Sequence, residues 1–203
     1  PRGAYADMKQ IKARKDSLIK KSVDGIAGGL DKNENITYFN GEATFIGHKQ
    51  LAVGEVEMTA EQIFINVGGR PFIPEGFEGV PYLTNESILE LEAVPEHLVI
   101  VGGSYIGLEF GQMFRRFGSR VTIVEMSDTL IKREDQEVSD AILQFLQDEG
   151  IECRLRATCI SGQKETDGSI SIQVNCELGG PPKVNGTHLL LAVGRRPNTN
   201  QLN

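Results

Sequence analysis

Cysteine is scarce: the 203-residue chain has three, Cys153, Cys159 and Cys176. They are too few and too scattered for a disulfide scaffold. Each falls in a stretch that reads as strand, where a small buried thiol is the ordinary role. Positive charge is also in deficit, with a formal net charge of -7, which excludes a nucleic-acid surface built on clustered basic residues. No apolar run approaches the roughly 18 residues of a membrane span. The N-terminal stretch lacks the continuous apolar core of a signal peptide. Histidine occurs only at positions 48, 97 and 188, without metal-ligand spacing, so no metal site is expected. A soluble, cytoplasmic globular protein is the expectation, and the start at Pro1 without an initiator Met suggests an excised piece.

The length allows one large or two small domains with a proper core. Only the first stretch is basic, with Arg2, Lys9, Lys12, Arg14, Lys15, Lys20 and Lys21. Its apolar residues Ile11, Leu18, Ile19, Val23 and Ile26 recur at roughly helical spacing, which predicts an amphipathic helix with a solvated basic face. Gly28-Gly29 is expected to break it. Short β-rich runs at 36–46, 51–53, 55–58 and 62–67 then predict an antiparallel meander. The Gly- and Pro-rich stretch 68–82 reads as a crossing between domains.

From Thr84 the pattern becomes alternating strand and helix. A short helix is expected over 87–91, capped by Thr84 or Asn85. Strands are expected at 97–101 and 120–124 and helices at 106–117 and 137–148. Further strands are expected at 151–155, 158–161, 169–174 and 189–193. A strand–helix–strand start implies a parallel sheet with right-handed crossovers, and the later hairpin-like runs would lie to one side of it.

The informative segment is Leu98-Val-Ile-Val-Gly102-Gly103-Ser104-Tyr105-Ile106-Gly107-Leu108-Glu109. A glycine-rich turn between a strand and a helix is the context of a dinucleotide fingerprint. Gly102 permits the tight turn and Gly107 lets the helix pack closely on the strand. The helix N-terminus offers backbone N–H groups and partial positive charge to a pyrophosphate. Ser104 replaces the fingerprint's second glycine. Its Cβ limits backbone approach to phosphate, while its hydroxyl can donate a hydrogen bond. Glu125 ends the second strand 23 residues beyond Gly102, placed to accept hydrogen bonds from the adenosine ribose. A tight turn needing glycine and an exposed strand-end acid are the plain structural alternatives.

The run from Leu98 to Glu125 resembles the nicotinamide-binding domain of the class I pyridine nucleotide–disulfide oxidoreductases, a family that includes dihydrolipoamide dehydrogenase, glutathione reductase and mercuric reductase. Two flanking motifs strengthen the resemblance. Thr59 to Pro71, ending in Asn66-Val67-Gly68-Gly69-Arg70-Pro71, is similar to the family's hand-over from flavin domain to nicotinamide domain. Leu189 to Thr199, with Gly194-Arg195-Arg196-Pro197-Asn198, is similar to the return crossing. The mercuric reductase-like branch is the one it resembles most, because that branch also carries serine in the fingerprint.

The resemblance implies an α/β fold: a Rossmann-like three-layer nucleotide-binding domain, with a parallel sheet plus an antiparallel β-meander, and a partial flavin-domain segment. It implies a flavin segment over 1–80, an NAD(H)-binding domain over 81–192 and a return crossing over 193–203. Gly102, Gly103, Ser104, Tyr105, Ile106 and Gly107 would hold the pyrophosphate end, with Glu125 on the ribose. Tyr105 matches a residue whose ring covers the nicotinamide pocket, Glu109 a carboxylate near the nicotinamide amide, and Ile160 and Gly194 further nucleotide contacts. Ala43, Asn66, Val67 and Gly68 match backbone contacts to FAD, with Asn66-Val67 departing from the commoner Ala-Thr. Implied partners are NAD(H), FAD in the full-length parent, the remaining flavin and interface domains, and a second copy as a homodimer.

The family's working disulfide, two cysteines separated by four residues, has no match, because five residues separate Cys153 from Cys159. His48, His97 and His188 resemble no catalytic position. The chain is therefore expected to bind a nucleotide, to contain no catalytic residue and to complete no disulfide chemistry alone. A related flavoprotein without a redox disulfide, of the NADH oxidase or ferredoxin reductase type, is the alternative parent. A nucleotide-binding module outside catalysis or a methyltransferase-like domain fits the return motif poorly.

Overall fold

The computed structural model describes residues 6–176, 181–200 and 202, and of Cys159 and Cys176 only the backbone. In chain order the elements are helix α1 (Met8–Asp31) and strands β1 (Ala43–Gly47), β2 (Gln50–Val53), β3 (Val56–Thr59) and β4 (Gly69–Pro71). Then come β5 (His97–Val101), α2 (Tyr105–Phe117), β6 (Arg120–Val124) and α3 (Gln136–Asp148). Strands β7 (Glu152–Arg154), β8 (Ala157–Lys164), β9 (Ile170–Cys176), β10 (Lys183–Gly186), β11 (His188–Leu191) and β12 (Arg195–Pro197) complete the chain. It divides into two compact units, residues 1–12 with 71–194, and residues 13–70 with 195–203.

The first unit is built on a parallel sheet of order β11-β5-β6-β7. Every residue of β5 is buried, and its alternation assigns the two faces. Leu98 and Ile100 join Val121, Ile123, Leu108, Phe114 and Leu146 in a core beneath α2 and α3. Val99 and Val101 join Val124 on the other face, against Ile170, Ile172, Val174 and Val184 of the antiparallel sheet β10-β9-β8. Helices, parallel sheet and antiparallel sheet are the three expected layers. A polar line crosses three strands, running from buried His97 and Thr122 to half-buried Glu152 and Arg154. His97 Nε2 lies 2.9 Å from Thr122 Oγ1, Thr122 donates to Glu152 Oε2 at 3.0 Å, and Arg154 Nε donates to Glu152 Oε1 at 2.8 Å.

In the second unit β1, β2 and β3 form the antiparallel meander. Strand β12 pairs with β4, and side chains fasten the pairing. The Arg70 guanidinium donates to Pro197 O, Asn198 Oδ1 and Asn200 Oδ1 at 3.2, 3.1 and 2.8 Å. Asn198 returns an N–H from Nδ2 to Val67 O at 3.1 Å.

Four expectations need correction. Helix α1 passes through Gly28-Gly29 and ends at Asp31, because glycine in a last turn costs only about 1 kcal/mol and does not break the hydrogen-bond ladder. Its apolar residues Ile11, Leu18, Ile19, Val23 and Ile26 are exposed, and only Met8 is buried. The run 62–67 is not a strand: Phe64 and Ile65 stand 83% and 52% exposed, and a strand needs a ladder partner that apolarity alone does not supply. The helix at 87–91 is a single 3-10 turn over Ser87–Glu90, and β10 was not foreseen because Lys-Val-Asn-Gly carries no β pattern.

Candidate functional site

The parallel sheet has one place where successive connections leave in opposite directions. From β5 the chain runs through α2 to β6 on one side, while β11 lies on the other. At such a switch point the carboxyl ends of the strands open a crevice that the connecting helices cannot fill. The turn Gly102-Gly103-Ser104 sits at this point.

Each glycine of the turn has its own steric reason. Gly102 adopts φ +115, and a Cβ there would lie 2.4 Å from Ala192 O, beyond the end of β11. A Cβ on Gly103 would lie 2.7 Å from Leu130 Cδ2 and 3.0 Å from Glu125 Cβ. A Cβ on Gly107 would lie 2.1 Å from the carbonyl oxygen of Gly102, so this residue sets how closely α2 abuts the turn. Ser104 is the N-cap in extended conformation, exposed, and its side chain makes no capping hydrogen bond. The first bond of the helix ladder is Leu108 N–H to Ser104 O at 3.1 Å. The amides of Tyr105, Ile106 and Gly107 therefore face out of the helix end, as the geometry of any helix start requires.

Glu125 directly follows β6 beside this turn and is half-buried. Its Oε2 accepts the Gly103 N–H at 2.5 Å and its Oε1 accepts the Ser127 N–H at 2.8 Å. One carboxylate thus links the glycine turn to the β6–α3 connection, and each oxygen keeps a lone pair for a hydroxyl. Ile131 in the same connection is a β-branched residue at φ +47, buried, donating its N–H to Gly103 O at 3.0 Å. Such a residue in the left-handed region is strained, and strain of this kind gathers at functional sites. Tyr105, first residue of α2, donates its hydroxyl to Glu134 Oε1. That bond, ahead of any other cause, holds the phenol above the ordinary tyrosine range.

The corner thus gathers Gly102, Gly103, Ser104, Tyr105, Ile106, Gly107 and Glu125, all named from sequence. Glu109 is exposed on α2. Gly194, at φ +128, follows β11 and accepts the Phe72 N–H at 3.0 Å. Ile160 lies on β8, packed against the core between the two sheets. Ala43, Asn66, Val67 and Gly68 belong to the second unit, where Ala43 opposes Val53 and the carbonyls of Val67 and Gly68 accept from Asn198. Ser127, Leu130, Ile131 and Glu134 were not foreseen. Each comes to the turn from an irregular connection, where periodicity carries no signal. Among the described residues no cluster of His, Cys, Asp or Glu has metal-ligating geometry, and no helix is long and apolar enough to cross a membrane. Cys153 is half-buried on β7, and burial, then the charge of Glu152, pushes its thiol up to about 11.

Known proteins with this arrangement place the chain in a family. The model for pyridine nucleotide-disulphide oxidoreductase matches residues 3–203; the chain belongs to this family. Mercuric reductase of Staphylococcus aureus is 34% identical over 98% of the chain and 36% of that protein. Dihydrolipoyl dehydrogenase of Thermus scotoductus is 31% identical over 97% of the chain and 43% of that protein. The solved structure of the HOCl-induced flavoprotein disulfide reductase RclA from Escherichia coli superposes with a TM-score of 0.83 at 31% identity, covering 98% of this chain and 45% of that one. The chain thus spans less than half the length of these relatives.

Proposed function

We propose that the first unit binds NADH at the β5–α2 turn and serves a parent flavoenzyme by presenting the nicotinamide to FAD. The observation that carries this reading is the Gly103–Glu125 link at the switch point. It holds the phosphate-facing turn and the ribose-facing carboxylate in one rigid corner. The outward amides of Tyr105, Ile106 and Gly107 and the positive end of α2 suit a pyrophosphate. Nicotinamide, when bound, supplies hydride; the chain's own residues bind, orient and exclude. In the parent that hydride would pass to FAD and on to a disulfide or metal-ion acceptor, as in a mercuric reductase-like or dihydrolipoamide dehydrogenase-like enzyme. A parent without a redox disulfide, of the NADH oxidase or ferredoxin reductase type, would share the same nucleotide unit and is the second reading. The remaining roles carried by resemblance are the nicotinamide-side contacts of Glu109, Ile160 and Gly194. The FAD contacts of Ala43, Asn66, Val67 and Gly68, a cytoplasmic location and a homodimeric parent rest on the same ground. The chain by itself is proposed to be inactive.

Glu125 sets the preference for NADH over NADPH. Its carboxylate accepts hydrogen bonds from a free 2′-hydroxyl and repels a 2′-phosphate. Hydrogen bonds to charged groups contribute roughly 1.5–3 kcal/mol, or about 10- to 100-fold in affinity. Met126, next in the chain, is an exposed neutral side chain; Lys132 is the cation that would offset part of the repulsion. Calorimetric dissociation constants for both nucleotides, with the chain and with Glu125→Ala and Glu125→Gln, test this. Tighter binding of NADPH by the unmodified chain overturns the assignment.

A further inference from the structure

Arg156 has φ +52, in the left-handed region that a residue with a long side chain rarely adopts. It stands two residues beyond the end of β7 and is exposed. Backbone bonds wrap this turn around the residues that follow β6. The Glu125 N–H donates to Arg154 O at 2.8 Å, the Ala157 N–H to Glu125 O at 3.0 Å, and the Arg156 N–H to Ser127 O at 2.9 Å. The fold therefore fixes the Arg156 backbone beside Glu125-Met126-Ser127 at the cost of a strained conformation. We infer that Arg156 is a further nucleotide-binding residue, its guanidinium covering the face of the adenine base at the outer end of the site. This rests on the reading of the first unit as an NADH site.

The parts of the nucleotide follow the order of the strands, β11-β5-β6-β7, which neighbour one another at about 4.8 Å. The diphosphate faces the turn after β5, and the adenosine ribose faces Glu125 after β6. The base is joined to that ribose and directed away from the diphosphate, so it comes next to the carboxyl end of β7. There Leu155 is buried and Arg156 is exposed. The neighbouring Arg154 is engaged elsewhere, its Nε donating to Glu152 Oε1 and its Nη1 to Pro181 O, both at 2.8 Å. The Arg156 guanidinium has no hydrogen bond or ion pair among the described residues. A planar guanidinium stacks on aromatic faces, and every base presents one. Glycine would form this turn without strain, so the turn alone does not call for arginine. Strain of this kind persists where the side chain serves a site.

Arg156→Gly removes the side chain and the strain together, so fold and binding should move in opposite directions. The urea midpoint of the 203-residue chain should hold or rise, since glycine takes a positive φ freely. Calorimetric affinity for NADH should fall roughly 3- to 10-fold. ADP-ribose, which has the adenosine half without the nicotinamide, should lose the same factor. Arg156→Asn, whose short side chain also tolerates the left-handed region, should repeat the loss. Arg156→Lys keeps the charge without the planar group and should recover only part of it. If the unmodified chain binds no NADH, the nucleotide reading falls and this inference with it. If it binds, and the Gly and Asn variants bind NADH equally well, ADP-ribose affinity is unchanged or lysine restores affinity in full, this inference alone is overturned.

Discussion

Gly107→Ala sets two effects of opposite sign against each other. Alanine in place of a helix-interior glycine stabilises by roughly 0.8–1 kcal/mol. At Gly107 the new Cβ would stand 2.1 Å from Gly102 O, and real Cβ contacts essentially never fall below 3.0 Å. The obstacle is a backbone carbonyl whose own residue is locked at φ +115 against the end of β11. Nothing there swivels, so α2 has to retreat by about 1 Å, at an overpacking cost near the top of the roughly 1–3 kcal/mol range. Gly111 is the internal control. Its Cβ would meet Ile100 Cδ1, Ile123 Cδ1 and Val121 Cγ1 at 3.2, 3.3 and 3.7 Å, all side-chain ends that can yield by tenths of an ångström. Gly111→Ala should be neutral or slightly stabilising, and Gly107→Ala should lie about 2 kcal/mol below it. With a urea slope of about 2 kcal/mol per molar, the midpoints followed by circular dichroism at 222 nm separate by about 1 M. Equal midpoints would refute the account of how α2 meets the turn.

Ser104→Leu should weaken NADH binding at least about tenfold by steric intrusion at the closest point of phosphate approach, while Ser104→Gly should be mild; equal affinity of the Leu variant and the parent chain places the nucleotide elsewhere. Stability should fall as pH drops from 7.5 to 5.5. Burial lowers the His97 pKa from its ordinary 6.5, with Arg120 assisting, and burial lowers that of His188. The unfolded chain then binds protons that the folded chain resists, and stability present above about 6.5 is lost below it. His97→Gln should shrink that slope to the His188 share, measured by urea midpoints across this range; an unchanged slope refutes it. Cys153, its thiol pushed up to about 11, should resist maleimide at pH 8 in the folded chain and react on unfolding; rapid labelling mapped to Cys153 by mass spectrometry would contradict its burial.

The parts of the fold legible in sequence are those whose pattern has one physical meaning. Strands β5 and β6 match the sequence reading to the residue, because their shortness, their β-branched content and the flanking glycine or charge favour a buried strand over a helix. The Gly102-to-Gly107 turn was legible for the same reason: close approach admits only glycine. The motifs around Arg70 and Asn198 stood out as a resemblance, and the structure pairs them through β4 and β12, with Arg70 and Asn198 each donating to the opposite segment. What was not legible is what depends on a partner far along the chain. The pairing of Tyr105 with Glu134 spans 29 residues, and neither residue advertises the other. Glu125 was singled out by its spacing from Gly102, but its grip on the Gly103 amide was not, because spacing locates a residue without saying what else it holds. The run at 62–67 failed in the opposite direction, since apolarity was present and a ladder was not.

Strand β11 has a consequence for how the first unit assembles. It is the last strand of its sheet to leave the ribosome, yet it lies beside β5, made some ninety residues earlier, with His188 opposite Leu98 and Leu191 opposite Val101. Its outer edge meets Leu83, whose N–H bonds Leu189 O at 2.7 Å and whose carbonyl accepts the Leu191 N–H at 3.0 Å. Until residues 188–191 emerge, one backbone edge of β5 remains unpaired. Such an edge pairs readily with other chains, and non-local parallel pairing is slow to form. The nascent unit therefore carries an unpaired inner edge while some ninety residues are added, and closure of the sheet by β11 is the event that ends it.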